Sequence, residues 1–318
     1  MNFKFYTTLS FMQVIGDNFD DFDLLPGVTL IRDREKIRKI LTKDLKSYAG
    51  IIEYGHLNDA NHIISVDFKN DYFNPNMSSN RALLVWLLWL NMLVNSSWLI
   101  KDNAMLCEIA YCNKTDRKAM SEWSNNSLMT MYSMANGDRH INTEFNREDL
   151  IKWEQTNHKI QSYLHKNNST VFDSFIDSKY SRYGRALSFI GSARKEFNPA
   201  LKIAHYCSAL ESLFSTDSAE LSHKLSERVA FFLKDHGYDS IKTFDEIKFF
   251  YNIRSKVTHG DSLKTAKVIT LPDESLKLDS YLRVIMNVIL HSEEMMSVFN
   301  GSKDVFEDYF KKKILLGI

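Results

Sequence analysis

The segment Asn198-Pro199-Ala200-Leu201-Lys202-Ile203-Ala204-His205-Tyr206-Cys207-Ser208-Ala209-Leu210-Glu211-Ser212-Leu213-Phe214 decides how the second half of the chain is read. Asn198 suits a helix N-cap because its side-chain oxygen can accept an orphan amide, and Pro199 suits the first helical position, where its missing N–H costs nothing. Ile203, Tyr206, Leu210, Leu213 and Phe214 then recur at helical spacing and mark a buried face. Working backwards, a helix is expected from about Val171 to Glu196, with Phe172, Phe175, Ile176, Leu187, Ile190 and Ala193 inward. Before it, Asn146 and Asp149 can cap a helix carrying Leu150, Trp153, Ile160 and Leu164. Working forwards, Asp217 with Glu220 suggests the start of a helix bearing Leu221, Leu225, Val229 and Phe232, which ends at Gly237. Thr243 with Glu246 suggests the start of another, through Ile247, Phe250 and Val257, which stops at the left-handed position offered by Gly260. A last long helix is expected from about Glu274 to Phe299, followed by a short tail. Amphipathic helices joined by short connections make an antiparallel bundle.

The composition agrees. The 318 residues include only 11 Gly and 4 Pro, few for a many-stranded sandwich or barrel. Lys+Arg and Asp+Glu both total 40, so a nucleic acid would have to be met by a local patch rather than by overall charge. Cys107, Cys112 and Cys207 form no CxxC pair, which argues against a disulfide framework or zinc knuckle and for a reducing, cytoplasmic setting. The N-terminus lacks the pattern of a secretory signal. The apolar run from Ala82 to Val94 is too short for the ~20 residues of a membrane span and contains Asn91, so a fully buried helix is expected and no membrane partner.

Residues 1–140 read differently. Gly27-Val28-Thr29-Leu30-Ile31 and His62-Ile63-Ile64-Ser65-Val66-Asp67-Phe68 look like strands, with a charged helical stretch from Asp33 to Leu45 between them. The expected fold class is therefore mainly α: a smaller mixed α/β N-terminal domain (1–140) preceding a helical domain (141–318).

The helix ending at Gly260 closes with Tyr251-Asn252-Ile253-Arg254-Ser255-Lys256-Val257-Thr258-His259-Gly260. An arginine and a histidine separated by four residues at the end of a bundle helix resemble the motif of the HEPN superfamily. The Apea-like branch is similar also in Ala209-Leu210-Glu211-Ser212-Leu213-Phe214 and in Lys224-Leu225-Ser226-Glu227-Arg228-Val229-Ala230. The resemblance covers roughly residues 170–300 and does not reach the N-terminal domain. It implies metal-independent RNA cleavage without a cofactor, a homodimer that brings two motifs together, and an anti-phage or toxin-like effector acting on tRNA or other cellular RNA. The N-terminal domain would then answer a phage-derived or protein trigger.

The chemistry of the two residues fits that reaction. Histidine titrates near neutral pH and can move the protons of a ribose 2′-OH attack, while a guanidinium offers fixed, bidentate charge to the phosphorane. His259 is the acid/base candidate and Arg254 the phosphate-binding candidate. On an ideal helix five positions turn through about 500°, leaving the two side chains about 140° apart. Either the last turn unwinds or a second subunit completes the site. The plain alternative is that Arg254 is an ordinary salt-bridge residue and His259 merely meets the helix dipole. Glu211 is a supporting candidate that could orient Arg254 or His259; equally, it could form a structural pair with Arg228. Asn252, which shares a helix face with His259, could touch substrate, as could Tyr251 and Lys256. Lys179, Arg182 and Arg185, with Arg194 and Lys195 beyond, form a basic stripe that could track phosphates, with Tyr180 and Tyr183 to stack bases; a solvated helix face is the alternative. No Walker lysine loop, GxGxxG, HExxH or GxSxG occurs, and the histidines suggest no metal cluster.

Overall fold

A computed structural model describes all residues except 1, 17–20, 69–73, 75, 116–120, 128–129, 168–180, 218–220 and 318. The chain divides into two compact units: the first holds Met1–Tyr132, His140–Leu164 and Thr170–Phe172, the second Ser133–Arg139, His165–Ser169 and Asp173–Ile318. The division therefore falls later than residue 140, and the first unit is not the smaller one.

In the first unit the strands are β1 (Asn2–Thr7), β2 (Met12–Val14), β3 (Asp21–Leu25), β4 (Val28–Ile31), β5 (Ile63–Phe68), β6 (Ala110–Thr115), β7 (Ser121–Asn126) and β8 (Thr143–Phe145). Six of them form one sheet in the order β3-β4-β5-β1-β6-β7, every neighbouring pair antiparallel. Only β4 and β5 are expected from local pattern. β8, in a stretch read as leading straight into helix, pairs parallel with β2.

Successive side chains point to opposite faces of a strand, so β1, β4, β5 and β6 each feed two cores. Phe5, Leu30, Ile64 and Cys112 pack in the core that holds helix α4 (Ser79–Ser97). Their neighbours Tyr6, Ile31, Ile63 and Tyr111 pack with Ile37, Leu41, Leu45 and Leu57 of α1 (Arg34–Ile40), α2 (Lys43–Ala49) and α3 (Ile51–Asp59). The charged stretch read as one helix is two, because Thr42 caps α2. Helix α4 lies where the apolar run predicts it, but it is not fully buried. Leu84 and Leu88 are 50% and 39% exposed, since a helix against one sheet buries one side only. Among the described residues no helix is long and apolar enough to cross a membrane. Helix α5 (Arg147–Lys166) begins with the expected reciprocal cap: the Asn146 amide donates to Asp149 (3.0 Å) and the Asp149 amide to Asn146 (3.0 Å). Its Leu150 and Trp153 complete the α4-side core. All five tryptophans of the chain belong to this unit.

His62 stands just before β5, wholly buried, and accepts the Leu9 amide through Nε2 at 3.4 Å. Burial, reinforced by the Arg32 charge, lowers its pKa from 6.5 to about 4. The unfolded chain then binds the proton more tightly, so this contribution to stability is complete above about pH 6.5 and falls as the pH drops towards about 4, by up to about 1.4 kcal/mol per pH unit. Tryptophan-monitored urea midpoints at about pH 7.5 and about pH 5 should differ less in His62→Gln than in the parent. Equal pH dependence in both would show that His62 does not set the slope.

The second unit is mainly helical: α6 (Arg182–Lys195), α7 (Pro199–Phe214), α8 (Leu221–Lys234), α9 (Ser240–His259), α10 (Thr265–His291), α11 (Glu293–Asn300) and α12 (Lys303–Leu316). Asn198 caps α7 by accepting the Ala200 amide at 2.9 Å, and Ile203, Tyr206, Leu210, Leu213 and Phe214 are all buried, as expected. The expected helix from Val171 is described from Arg182; Phe172, Phe175 and Ile176 lie outside the described residues. So does Glu220, while Asp217 pairs with Lys224 at 3.2 Å. Helix α9 starts a turn before Thr243: its cap is Asp239, accepting the Lys242 amide at 2.9 Å, and Thr243 is buried within it. Helix α10 begins at Thr265, earlier than the expected start near Glu274, and runs through Pro272. It ends at Ser292, which caps α11. The presumed tail is helix α12, whose Phe306 and Phe310 are buried with Phe214.

Candidate functional site

Helix α9 stays α-helical through His259. Gly260 takes the left-handed conformation (φ 76°), its amide bonding to Val257 O at 3.3 Å and the next amide, Asp261, to Lys256 O at 2.8 Å. That closure satisfies the orphan carbonyls without unwinding the last turn. Of the two ways to bring Arg254 and His259 to one phosphate, local unwinding is therefore not used.

The two side chains have different surroundings. Arg254 is half-buried and turned to α7, where its Nη2 lies 3.4 Å from the Glu211 carboxylate. The Tyr251 ring, one turn earlier on α9, sits 5.5 Å from the guanidinium carbon. Burial raises the Glu211 pKa, against the pull of the Arg254 charge and the Tyr251 hydroxyl. Burial and the facing Glu211 carboxylate raise the Tyr251 phenol in turn. Cys207, one turn before Glu211 on α7, is fully buried; desolvation, then the Glu211 charge, raises its thiol well above the ordinary range, which makes it a poor nucleophile. His259 is exposed in the last turn, and so is Asn252. Lys256 is half-buried.

The structure thus brings Glu211, Tyr251 and Arg254 together and leaves Asn252 and His259 facing solvent. The partner of Glu211 is Arg254 rather than Arg228. Arg228 is engaged elsewhere: it donates to Phe214 O at 2.7 Å and pairs with Glu307 of α12 at 2.6 Å. The pairing of Glu211 with Arg254 is among the expected ones, whereas the place of Cys207 beside Glu211 is not, though the one-turn spacing Cys207–Glu211 is visible in the sequence.

The proposed basic stripe on α6 does not survive as a stripe. Lys179 and Tyr180 lie outside the described residues. Arg182 donates to Leu213 O (3.4 Å) and Ser215 O (2.5 Å), and its guanidinium packs 4.2 Å from the Phe306 ring centre. It closes the C-terminal end of α7 and is not free to track phosphates. Arg185 is half-buried, Arg194 and Tyr183 are buried, and only Lys195 is exposed. A helix in contact with α7 buries one flank of any three-residue spacing, and that burial carries the arginines inward with it.

Among the described residues no group of three His, Cys, Asp or Glu side chains is placed to hold a metal ion. Compared with known proteins, the chain matches no family model, no curated protein and no solved structure.

Proposed function

We propose that the chain is a HEPN-type, metal-independent endoribonuclease whose site is completed by a second copy of itself. The observation that carries this reading is the end of α9: a guanidinium braced by Glu211 and Tyr251, and five residues on an exposed imidazole beside a left-handed glycine. In the reaction a ribose 2′-oxygen attacks the adjacent phosphorus. The O2′–P bond forms, the P–O5′ bond breaks, and a 2′,3′-cyclic phosphate and a 5′-hydroxyl result. His259 moves the proton and Arg254 meets the charge on the phosphorane oxygens. Because the intact last turn holds the two groups apart around the axis, a symmetry-related α9 supplies the missing half. The setting is an anti-phage or toxin-like effector acting on tRNA or other cellular RNA in the cytoplasm, with the first unit answering a phage-derived or protein trigger.

The pairing of Arg254 with Glu211 at 3.4 Å also favours a second reading: a non-catalytic dimerisation or ligand-binding bundle in which Arg254 is an anchor. Incubation of the full-length protein with total tRNA, with and without phage-infected lysate, separates the two. Fragments ending in a cyclic phosphate, formed equally in EDTA, are expected of the nuclease. Intact RNA under both conditions would establish the binding module, and loss of cleavage in EDTA would replace the mechanism with a metal-dependent one.

A further inference from the structure

The chain passes from the first unit into the second for seven residues, Ser133–Arg139, and returns to the first at His140. Those seven residues are built into the junction between α6 and α7. The Ser133 amide donates to Arg194 O at 2.9 Å and its hydroxyl to Glu196 O at 2.5 Å, while its carbonyl accepts from the Lys202 ammonium at 3.5 Å. Lys202, wholly buried, also donates to Ala193 O at 2.9 Å. Segment and lysine together thus satisfy carbonyls that the end of α6 leaves open. Ala135 is wholly buried as well. Gly137 adopts φ +94°, and a Cβ there would stand 2.4 Å from Phe197 O. Arg139 lies over the Phe197 ring at 4.3 Å.

We infer that Ser133–Arg139 is a relay through which a change in the first unit reaches the bundle at the start of α7. Two features make it switch-like rather than graded. The seat at Gly137 admits no side chain, so the segment is either home or displaced. Displacement would also take an acceptor from a buried ammonium and two donors from a helix end, which penalises intermediate positions. Helix α7 starts immediately after this junction and carries Glu211 near its other end, so the relay acts on the element that braces Arg254. On the first-unit side the entrance is fixed by Tyr132, whose hydroxyl donates to Asn91 of α4 at 2.6 Å. The relay itself stands without the nuclease reading; only its bearing on catalysis rests on that reading.

Amide hydrogen exchange on the full-length protein tests it with two variants. Gly137→Ala, at the seat, is expected to speed exchange of the Ser133 and Arg139 amides at least tenfold and, with them, the last turns of α7 and α9, while β1 and β5 keep their protection. Asn91→Ala, at the entrance, is expected to loosen the same segment several-fold although it lies in the other unit. Should Gly137→Ala change the segment but leave α7 and α9 untouched, or Asn91→Ala leave the segment unchanged, the relay is refuted. If Gly137→Ala does not fold, Ser133→Ala takes its place with the same expectations. RNA cleavage by the unaltered protein is scored separately, so a failed nuclease assay does not bear on the exchange result.

Discussion

Arg254→Ala and His259→Ala are each expected to lower RNA cleavage by roughly 10²- to 10⁴-fold, the range lost when a positioned acid/base or a charge-stabilising donor is removed. Their effects on the fold should differ. His259 is exposed, so its removal should change stability by no more than about 0.5 kcal/mol. Arg254→Ala strands the half-buried Glu211 carboxylate and should cost about 1–3 kcal/mol. The double variant Arg254→Ala, Glu211→Ala should recover part of that stability and none of the cleavage. Such a split separates a residue that meets the reacting phosphate from one that merely holds two helices together, for which stability and cleavage would return together. Arg254→Lys keeps the charge but loses the two-pronged geometry, and intermediate activity is expected. Cleavage within a few-fold of the parent in both alanine variants would remove the assignment.

Phe214→Ala should destabilise the bundle by about 3–5 kcal/mol, the usual cost of truncating a buried phenylalanine. The ring sits at the end of α7 with Phe232, Phe299 and Phe310 packed edge-on around it at 5.5–5.8 Å. Three helices lose contacts at once, and the rigid rings cannot close the void. The measurement needs no added probe. Every tryptophan is in the first unit, so fluorescence follows that unit, whereas circular dichroism near 222 nm is dominated by the helical second unit. Urea unfolding should therefore show the loss in the circular dichroism midpoint. A change below about 1 kcal/mol there would mean that the aromatic cluster is not the centre of the bundle core.

What could be read from the sequence was local. Asn198-Pro199 and the Asn146/Asp149 pair lie within one turn of the ends they cap, and Gly260 is the residue a left-handed stop favours. All three are found in place. Thr243 and Glu246 have the same pattern but sit inside a helix, because burial of Thr243 and the contact of Glu246 with Tyr281 override a motif that recurs by chance. The sheet was mostly illegible for another reason. β1 lies between β5 and β6, with Phe5 opposite both Val66 and Cys112, and no short-range signal announces pairings over such separations. The candidate site was legible in identity but not in orientation. Which side of α9 meets α7 decides whether Arg254 finds Glu211, and an isolated helix does not specify that. Arg182 shows the same limit: three basic residues at even spacing suggest a surface, yet the carbonyls at the end of α7 claim one of them.

The excursion of Ser133–Arg139 has a bearing on biosynthesis. Ser133 cannot meet Lys202 until 69 further residues have been made, and at about 5–20 residues per second that is a delay of roughly 3–14 s on the ribosome. During that interval the Ser133 carbonyl has no ammonium to accept from. A protein wired in this order cannot complete the junction between α6 and α7 until Lys202 has been made, well past the middle of translation.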